Sequence, residues 1–127
     1  YYFMDLFNLG ILSIVNNKIS SIESDAFDSL LKLNYLDLSN NCIFKLETNL
    51  FRNLTRLIEL NLNRNLIKSF NENVLRNLVG LNKLYLSDNL LNRFEIKSNS
   101  FTRLNLLDLS FNKNLANFDV KNFQIQT

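Results

Sequence analysis

The chain carries no histidine and a single cysteine among 127 residues. Without histidine there is no Ser-His-Asp or Cys-His nucleophile and no ordinary zinc set. No glycine-rich phosphate loop occurs, and no cofactor or metal is implied. Cys42 has only Lys45 near it in sequence, whereas a reactive thiol needs an electropositive, accessible setting. It reads as an unpaired structural thiol, with an intermolecular disulfide as the second reading and catalysis as the third. The chemistry left to the chain is recognition. Tyr35, Asp37, Glu59, Arg64, Lys83, Tyr85, Asp88 and Phe111 mix aromatic rings with both charges, and Tyr and Arg are enriched among residues that dominate interface energy. They are the expected ligand-binding set; a solvated surface is the competing reading. Glu59 and Lys83 are also explained without a ligand, as a cross-strand ion pair worth ~0.2–1 kcal/mol.

What spaces these side chains is a leucine register. The frame LxxLxLxxNxL (x, any residue) reads Leu9, Leu12, Ile14, Asn17, Ile19, and returns as Leu33, Leu36, Leu38, Asn41, Ile43. A third copy is Leu57, Leu60, Leu62, Asn65, Ile67, and a fourth is Leu81, Leu84, Leu86, Asn89, Leu91. A fifth, incomplete copy is Leu104, Leu107, Leu109, Asn112. The starts advance by 24, 24, 24 and 23 residues (33−9, 57−33, 81−57, 104−81). Self-similarity at this period and frame is the signature of a leucine-rich repeat solenoid. The expected fold is an α/β solenoid, curved and right-handed, with a parallel concave sheet and short helices, turns or loops on the convex side. Strands are expected near residues 11–14, 35–38, 59–62, 83–86 and 106–109. Alternation along LxL turns the fourth, sixth and ninth positions to one side, so Asn17, Asn41, Asn65, Asn89 and Asn112 point inward. A carboxamide both donates and accepts, and these five are expected to form a structural ladder satisfying backbone where the chain leaves the strand.

The outward positions of the concave face follow from the same count. The third position gives Ile11, Tyr35, Glu59, Lys83 and Leu106; the fifth gives Ser13, Asp37, Asn61, Tyr85 and Asp108. The seventh gives Val15, Ser39, Asn63, Ser87 and Ser110, and the eighth gives Asn16, Asn40, Arg64, Asp88 and Phe111. On the return path Phe27 and Leu30, Phe51 and Leu54, and Leu75 and Leu78 lie three apart, and should stack large apolar side chains along the convex side. Phe3 and Leu6 hold the same slots ahead of Leu9.

Two copies are irregular. The fourth is one residue short, with Ser98 in the Phe slot and Phe94, Ile96 and Phe101 nearby. The fifth has Asn114 where an apolar residue belongs, with Leu115 one step late, and its tail NFDVKNFQIQ alternates like a strand. The expectation there is a convex strand in place of a helix. Phe94, Ile96, Phe101 and Phe118 make the rival contact surface to the concave face. Residues 1–127 read as one segment: partial repeat 1–8, then repeats 9–32, 33–56, 57–80, 81–103 and 104–127. Neither end shows the polar cap a solenoid needs, so the expectation is an internal slice of a longer protein, prone to self-association.

Composition narrows the partners. Net charge is +2, from 14 basic and 12 acidic residues, so nothing drives the chain toward nucleic acid. Lys32, Arg56, Arg103, Lys45 and Arg93 are separated by whole repeats and read as solvating charge. No apolar run approaches the ~18 residues of a membrane span, and the opening YYFMDLF lacks the features of a signal peptide. The abundance of Asn, Lys, Ile, Phe and Tyr with 2 Gly and 0 Pro fits an AT-rich genome.

The frame, with LDLSNN at 36–41, LYLSDN at 84–89, LDLSFN at 107–112 and Phe at the convex slot, resembles the "typical" 24-residue leucine-rich repeat class. That class includes Toll and Toll-like receptor ectodomains, secreted insect immune leucine-rich repeat proteins, chaoptin-like adhesion proteins and small proteoglycans. The resemblance covers essentially the whole chain and implies an extracellular, non-catalytic module. Its concave face would bind a protein or other macromolecule, in innate-immune or signalling recognition, with homo- or hetero-oligomers open to it. The alternatives are a structural or adhesive extracellular assembly protein and, behind that, an intracellular scaffold. The Cys-rich caps of the extracellular class are absent. Asn53-Leu54-Thr55 is the one N-x-Ser/Thr sequon; on the convex side, a glycan there would leave the sheet open.

Overall fold

The computed structural model describes residues 3–96 and 102–116, together with the backbone of 124–126; Asn71 is described as backbone only. Strands of three residues recur once per repeat: β1 (Ile11–Ser13), β2 (Tyr35–Asp37), β3 (Glu59–Asn61), β5 (Lys83–Tyr85) and β7 (Leu106–Asp108). Among the described residues they form one parallel sheet in the order β1-β2-β3-β5-β7-β8, where β8 is Gln124–Gln126. The register is that of the repeat: Leu12 faces Leu36, Leu36 faces Leu60, Leu60 faces Leu84, and Leu84 faces Leu107. The frame sets this because a one-residue slip would throw every inward leucine to solvent.

The core is a set of columns running along the solenoid. Leu36, Leu38, Leu60, Leu62, Leu84 and Leu86 are fully buried beneath the sheet. From the return path Phe27, Leu30, Phe51, Leu54, Leu75 and Leu78 close the other side. Phe3, Phe27 and Phe51 stack in sequence, with ring centroids 6.1 and 6.2 Å apart and interplanar angles of 18° and 13°. Leu75 takes over the slot in the next repeat. The convex side is almost all turns, one of the forms expected there; among the described residues the one helical element is a single 3₁₀ turn, Glu72–Leu75.

Strands also occur off the concave sheet. β4 (Ser69–Asn71) and β6 (Arg93–Glu95) pair in parallel, with Phe70 opposite Phe94. Their rings stack at 5.5 Å and 21°, and Phe94 is buried. That removes Phe94 from the surface proposed as a rival contact, while residues 97–101, where a convex strand is expected in place of a helix, lie outside the described residues. Ser98, Phe101 and Phe118 lie outside the described residues. The tail departs from expectation. Residues 124–126 join the concave sheet beside β7, with Ile125 aligned to Leu107, and do not form a convex strand. β8 follows β7 by fewer residues than any earlier strand spacing in that sheet, a shortcut the 24-residue count does not forecast. Leu107 and Leu109 are buried, not laid open as the bare fifth repeat implies.

The asparagine ladder is present in four copies. Asn65 accepts the Ile43 N–H at its Oδ1 (3.0 Å) and donates from Nδ2 to the carbonyls of Leu38 and Leu62 (3.1 Å each). Asn41, Asn89 and Asn112 repeat the pattern on Ile19, Ile67 and Leu91, and no buried side-chain polar atom lacks a partner among the described residues. Each carboxamide ties its own repeat to the preceding one. Asn17 differs: it is exposed and its Nδ2 donates to its own Val15 carbonyl (2.9 Å), so it is not a buried rung.

Candidate functional site

The concave face divides along its strands into two groups of outward side chains. The first lies over the strands themselves. Tyr35, Glu59 and Lys83 are register neighbours, and so are Asp37, Asn61 and Tyr85. The Tyr35 hydroxyl donates to Asp37 Oδ2 (2.9 Å), and Asp37 also accepts the Ser39 N–H (2.9 Å) and the Asn61 amide (3.3 Å). Partial burial, the hydrogen bond to Asp37 and the carboxylates of Asp37 and Glu59 push the Tyr35 phenol up to about 12; each favours the neutral phenol over the phenolate. Glu59 and Lys83 form the expected ion pair at 3.4 Å. This group largely satisfies itself.

The second group lies where the chain leaves the strands. Asn16, Asn40, Arg64, Asp88 and Phe111 all have positive φ, between 54° and 58°. They are the eighth residue of each repeat. In this left-handed turn the N–H groups of Asn40, Arg64 and Asp88 donate to the Asn63, Ser87 and Ser110 carbonyls of the next repeat (2.9 Å each), while the ninth residue swings into the core. Asn and Asp enter this conformation readily; other side chains lose roughly 1–2 kcal/mol to the Cβ–carbonyl clash. Asn16, Asn40 and Asp88 therefore suit their backbone. Arg64 and Phe111 do not.

A trough of about 660 Å³ runs along this column, lined by Val15, Asn16, Asp37, Ser39, Asn40, Asn61, Asn63, Arg64, Ser87, Asp88, Phe111 and Lys113. Four of the eight expected ligand residues border it: Asp37, Arg64, Asp88 and Phe111. Tyr35, Glu59, Lys83 and Tyr85 stand on the same face, outside the trough. Polar neighbours such as Asn61, Asn63 and Lys113 complete the lining and were absent from the expected set; the outward count reaches Asn61 and Asn63, but polar type alone does not separate lining from filler. Within the trough Asn40 and Asn16 are hydrogen-bonded to each other, and Asn63 accepts the Ser87 N–H at its Oδ1 (2.7 Å). Arg64 approaches Asp88 no nearer than 3.9 Å, at Nε.

Elsewhere the chemistry is structural. Asn53 of the sequon is half-buried, and its amide donates to the Asp28 carbonyl (3.1 Å). The equivalent Asn77 bonds the Arg52 carbonyl (2.9 Å), so Asn53 belongs to a second, convex ladder and is less exposed than the sequence implies. Cys42 is a half-buried free thiol. The flank cations are mostly engaged: Lys32 with Asn8 (2.7 Å), Lys45 with Glu47 (3.0 Å), and Arg93 with Glu95. Among the described residues no group of three or more His, Cys, Asp or Glu could hold a metal ion, and no helix is long and apolar enough to cross a membrane.

The family profile described as Leucine rich repeat matches residues 7–57 and 43–91. Among solved structures, the chain is similar to one in the glycosylated Toll–Spatzle complex of Drosophila, at 29% identity and TM-score 0.72, over 79% of this chain and 14% of that one. It is also similar to an internalin of Listeria monocytogenes, at 28% identity and TM-score 0.65, over 96% of this chain and 31% of that one. A second Toll–Spatzle structure aligns at 21% identity and TM-score 0.73, over 86% of this chain and 19% of that one. This last likeness speaks to fold alone. The chain thus spans less than a third of the length of each of these neighbours. No curated protein matches it in sequence.

Proposed function

The chain belongs to the leucine-rich repeat family, and from that premise we propose that it is the recognition part of an extracellular receptor-type protein that binds a protein partner on its concave face. Repeats of this family make protein-interaction modules, and the outward concave residues are the part of the repeat that the core leaves free to vary. The observation carrying the receptor reading is the likeness to the chain in the Toll–Spatzle complex, described as a hub of development and innate immunity in Drosophila. On this reading the eight outward residues Tyr35, Asp37, Glu59, Arg64, Lys83, Tyr85, Asp88 and Phe111 form the binding set, residues 1–127 are one segment of a longer solenoid, and Asn53 carries a glycan.

Two measurements test it. Chain secreted from an animal cell should carry an N-glycan at Asn53, seen as a mass shift that Asn53→Gln removes; unmodified secreted chain would withdraw the glycoprotein part. Photo-crosslinkers placed at Tyr85 should trap a protein partner from the host's extracellular fluid, whereas the same group at convex Arg76 should not. Trapping at Arg76 alone would move the site to the convex side.

A further inference from the structure

We propose that Arg64, Asp88 and Phe111 form a specificity contact for a polypeptide segment that presents an acidic side chain beside an aromatic or branched apolar one. The proposal rests on the concave-face reading above and narrows it to one end of the trough.

The backbone singles these residues out. The repeat forces its eighth residue to positive φ, and in the first, second and fourth repeats that residue is Asn16, Asn40 and Asp88, types that occupy the region at little cost. Arg64 and Phe111 sit in the same turn, at φ of 54° and 57°, without that advantage. Strain held at a residue that contributes little to packing points to function, and neither side chain is part of the core: Phe111 is 77% exposed and the Arg64 side chain 69%. An isolated exposed ring would be unremarkable on a protein surface. An exposed ring in a conformation that penalises it is not.

The surrounding chemistry sets the ligand class. Asp37 is answered by three donors and offers little to a partner. Asp88 comes no nearer to the Arg64 guanidinium than 3.9 Å, beyond hydrogen-bond distance, which leaves the terminal N–H groups without a hydrogen-bonded carboxylate among the described residues. Those donors form the planar fork that takes a carboxylate in two parallel bonds. Lys113 adds a second cation to the lining; with Asp37 already answered by its three donors, two cations face the one remaining carboxylate, Asp88, so the lining that holds Phe111 favours an anion next to an apolar surface. Arg64 and Phe111 are two strand steps apart, about 10 Å at the usual strand spacing. Three residues of extended chain cover that distance, so the acidic and apolar groups should fall within three positions of each other.

The test pairs a stability measurement with a selection. Arg64→Asn and Phe111→Asn supply the residue that the turn favours, so each variant should melt about 2–5 °C above the parent. Random peptides displayed on phage and selected on the parent chain should share an acidic residue within three positions of an aromatic or branched apolar one. Synthesised, those peptides should bind each Asn variant at least tenfold more weakly. Variants that melt at or below the parent, a basic consensus, or no enriched peptide would overturn the proposal. Peptides weakened by Tyr85→Ala but not by the Asn variants would overturn it while leaving the concave-face reading intact. Binding unaffected by all three substitutions would sink both. A glycan array signal that depends on Phe111, with no peptide selected, would replace the polypeptide by a carbohydrate and overturn the assignment.

Discussion

An asparagine at the ninth position of the repeat serves two neighbours at once. Asn65 receives the Ile43 N–H and donates to the Leu38 and Leu62 carbonyls, so deleting its carboxamide strands backbone groups that no water reaches. Asn65→Ala should cost about 1–3 kcal/mol, whereas Asn17→Ala, at the exposed copy, should stay within about 0.5 kcal/mol. Equal losses in urea melts would mean the exposed copy is also a structural rung. Tyr35 offers a second test at this scale. Its phenol titrates at about 12 in the folded chain against 10.0 ordinarily, so folding favours the protonated form. Its contribution is complete below pH 10 and is lost as pH climbs toward 12. The stability difference between the parent and Tyr35→Phe should therefore be flat below pH 10 and shrink across that window. A difference that shrinks from pH 8 would show that the hydrogen bond to Asp37 does not hold the phenol neutral.

The turns and strands acquire their stability from columns that run across repeats. Three-residue strands such as β3 have no independent existence; they persist because Leu60 lies between Leu36 and Leu84. On the convex side the stacked rings of Phe3, Phe27 and Phe51 give way to Leu75 in the same slot, so the fold already accepts either side chain there. Phe51→Leu should cost less than about 1.5 kcal/mol and Phe51→Ala about 3–5 kcal/mol. A leucine variant as damaged as the alanine one would mean that ring stacking, and not filled volume, holds the convex side.

For the whole molecule the consequence of the stack is one-dimensional stability, in which each repeat leans on its neighbours. Leu38, Leu62 and Leu86 donate their N–H groups to the next repeat (2.9, 2.8 and 2.8 Å) from fully buried positions. At the first repeat, a hollow of about 820 Å³ lined by Phe3, Ile14, Ile19, Ile22 and Phe27, together with Ser21, Glu23 and Asp25, opens onto part of the core. Hydrogen exchange should be slowest at Leu62 and faster by at least tenfold at Ile14, and light scattering should show association that grows with concentration. Uniform protection along the chain and a stable monomer would together mean that the hollow is sealed.

The sequence by itself determined the parallel solenoid, the inward leucines, the buried rungs at Asn41, Asn65, Asn89 and Asn112, and the Glu59–Lys83 pair. All of these follow from a period of 24 and an alternation of two, which no tertiary accident can shift without exposing a row of leucines. Tertiary structure alone decided the rest. It set β8 into the concave sheet, buried Phe94 against Phe70, drew Asn53 into a convex ladder, and left Asn17 outside the core. It also divided eight outward residues into a group that satisfies itself around Asp37 and a strained column with Arg64 and Phe111. These outcomes hang on contacts between residues some 24 apart whose types the repeat does not prescribe, and on a backbone turn whose cost depends on the side chain it happens to carry.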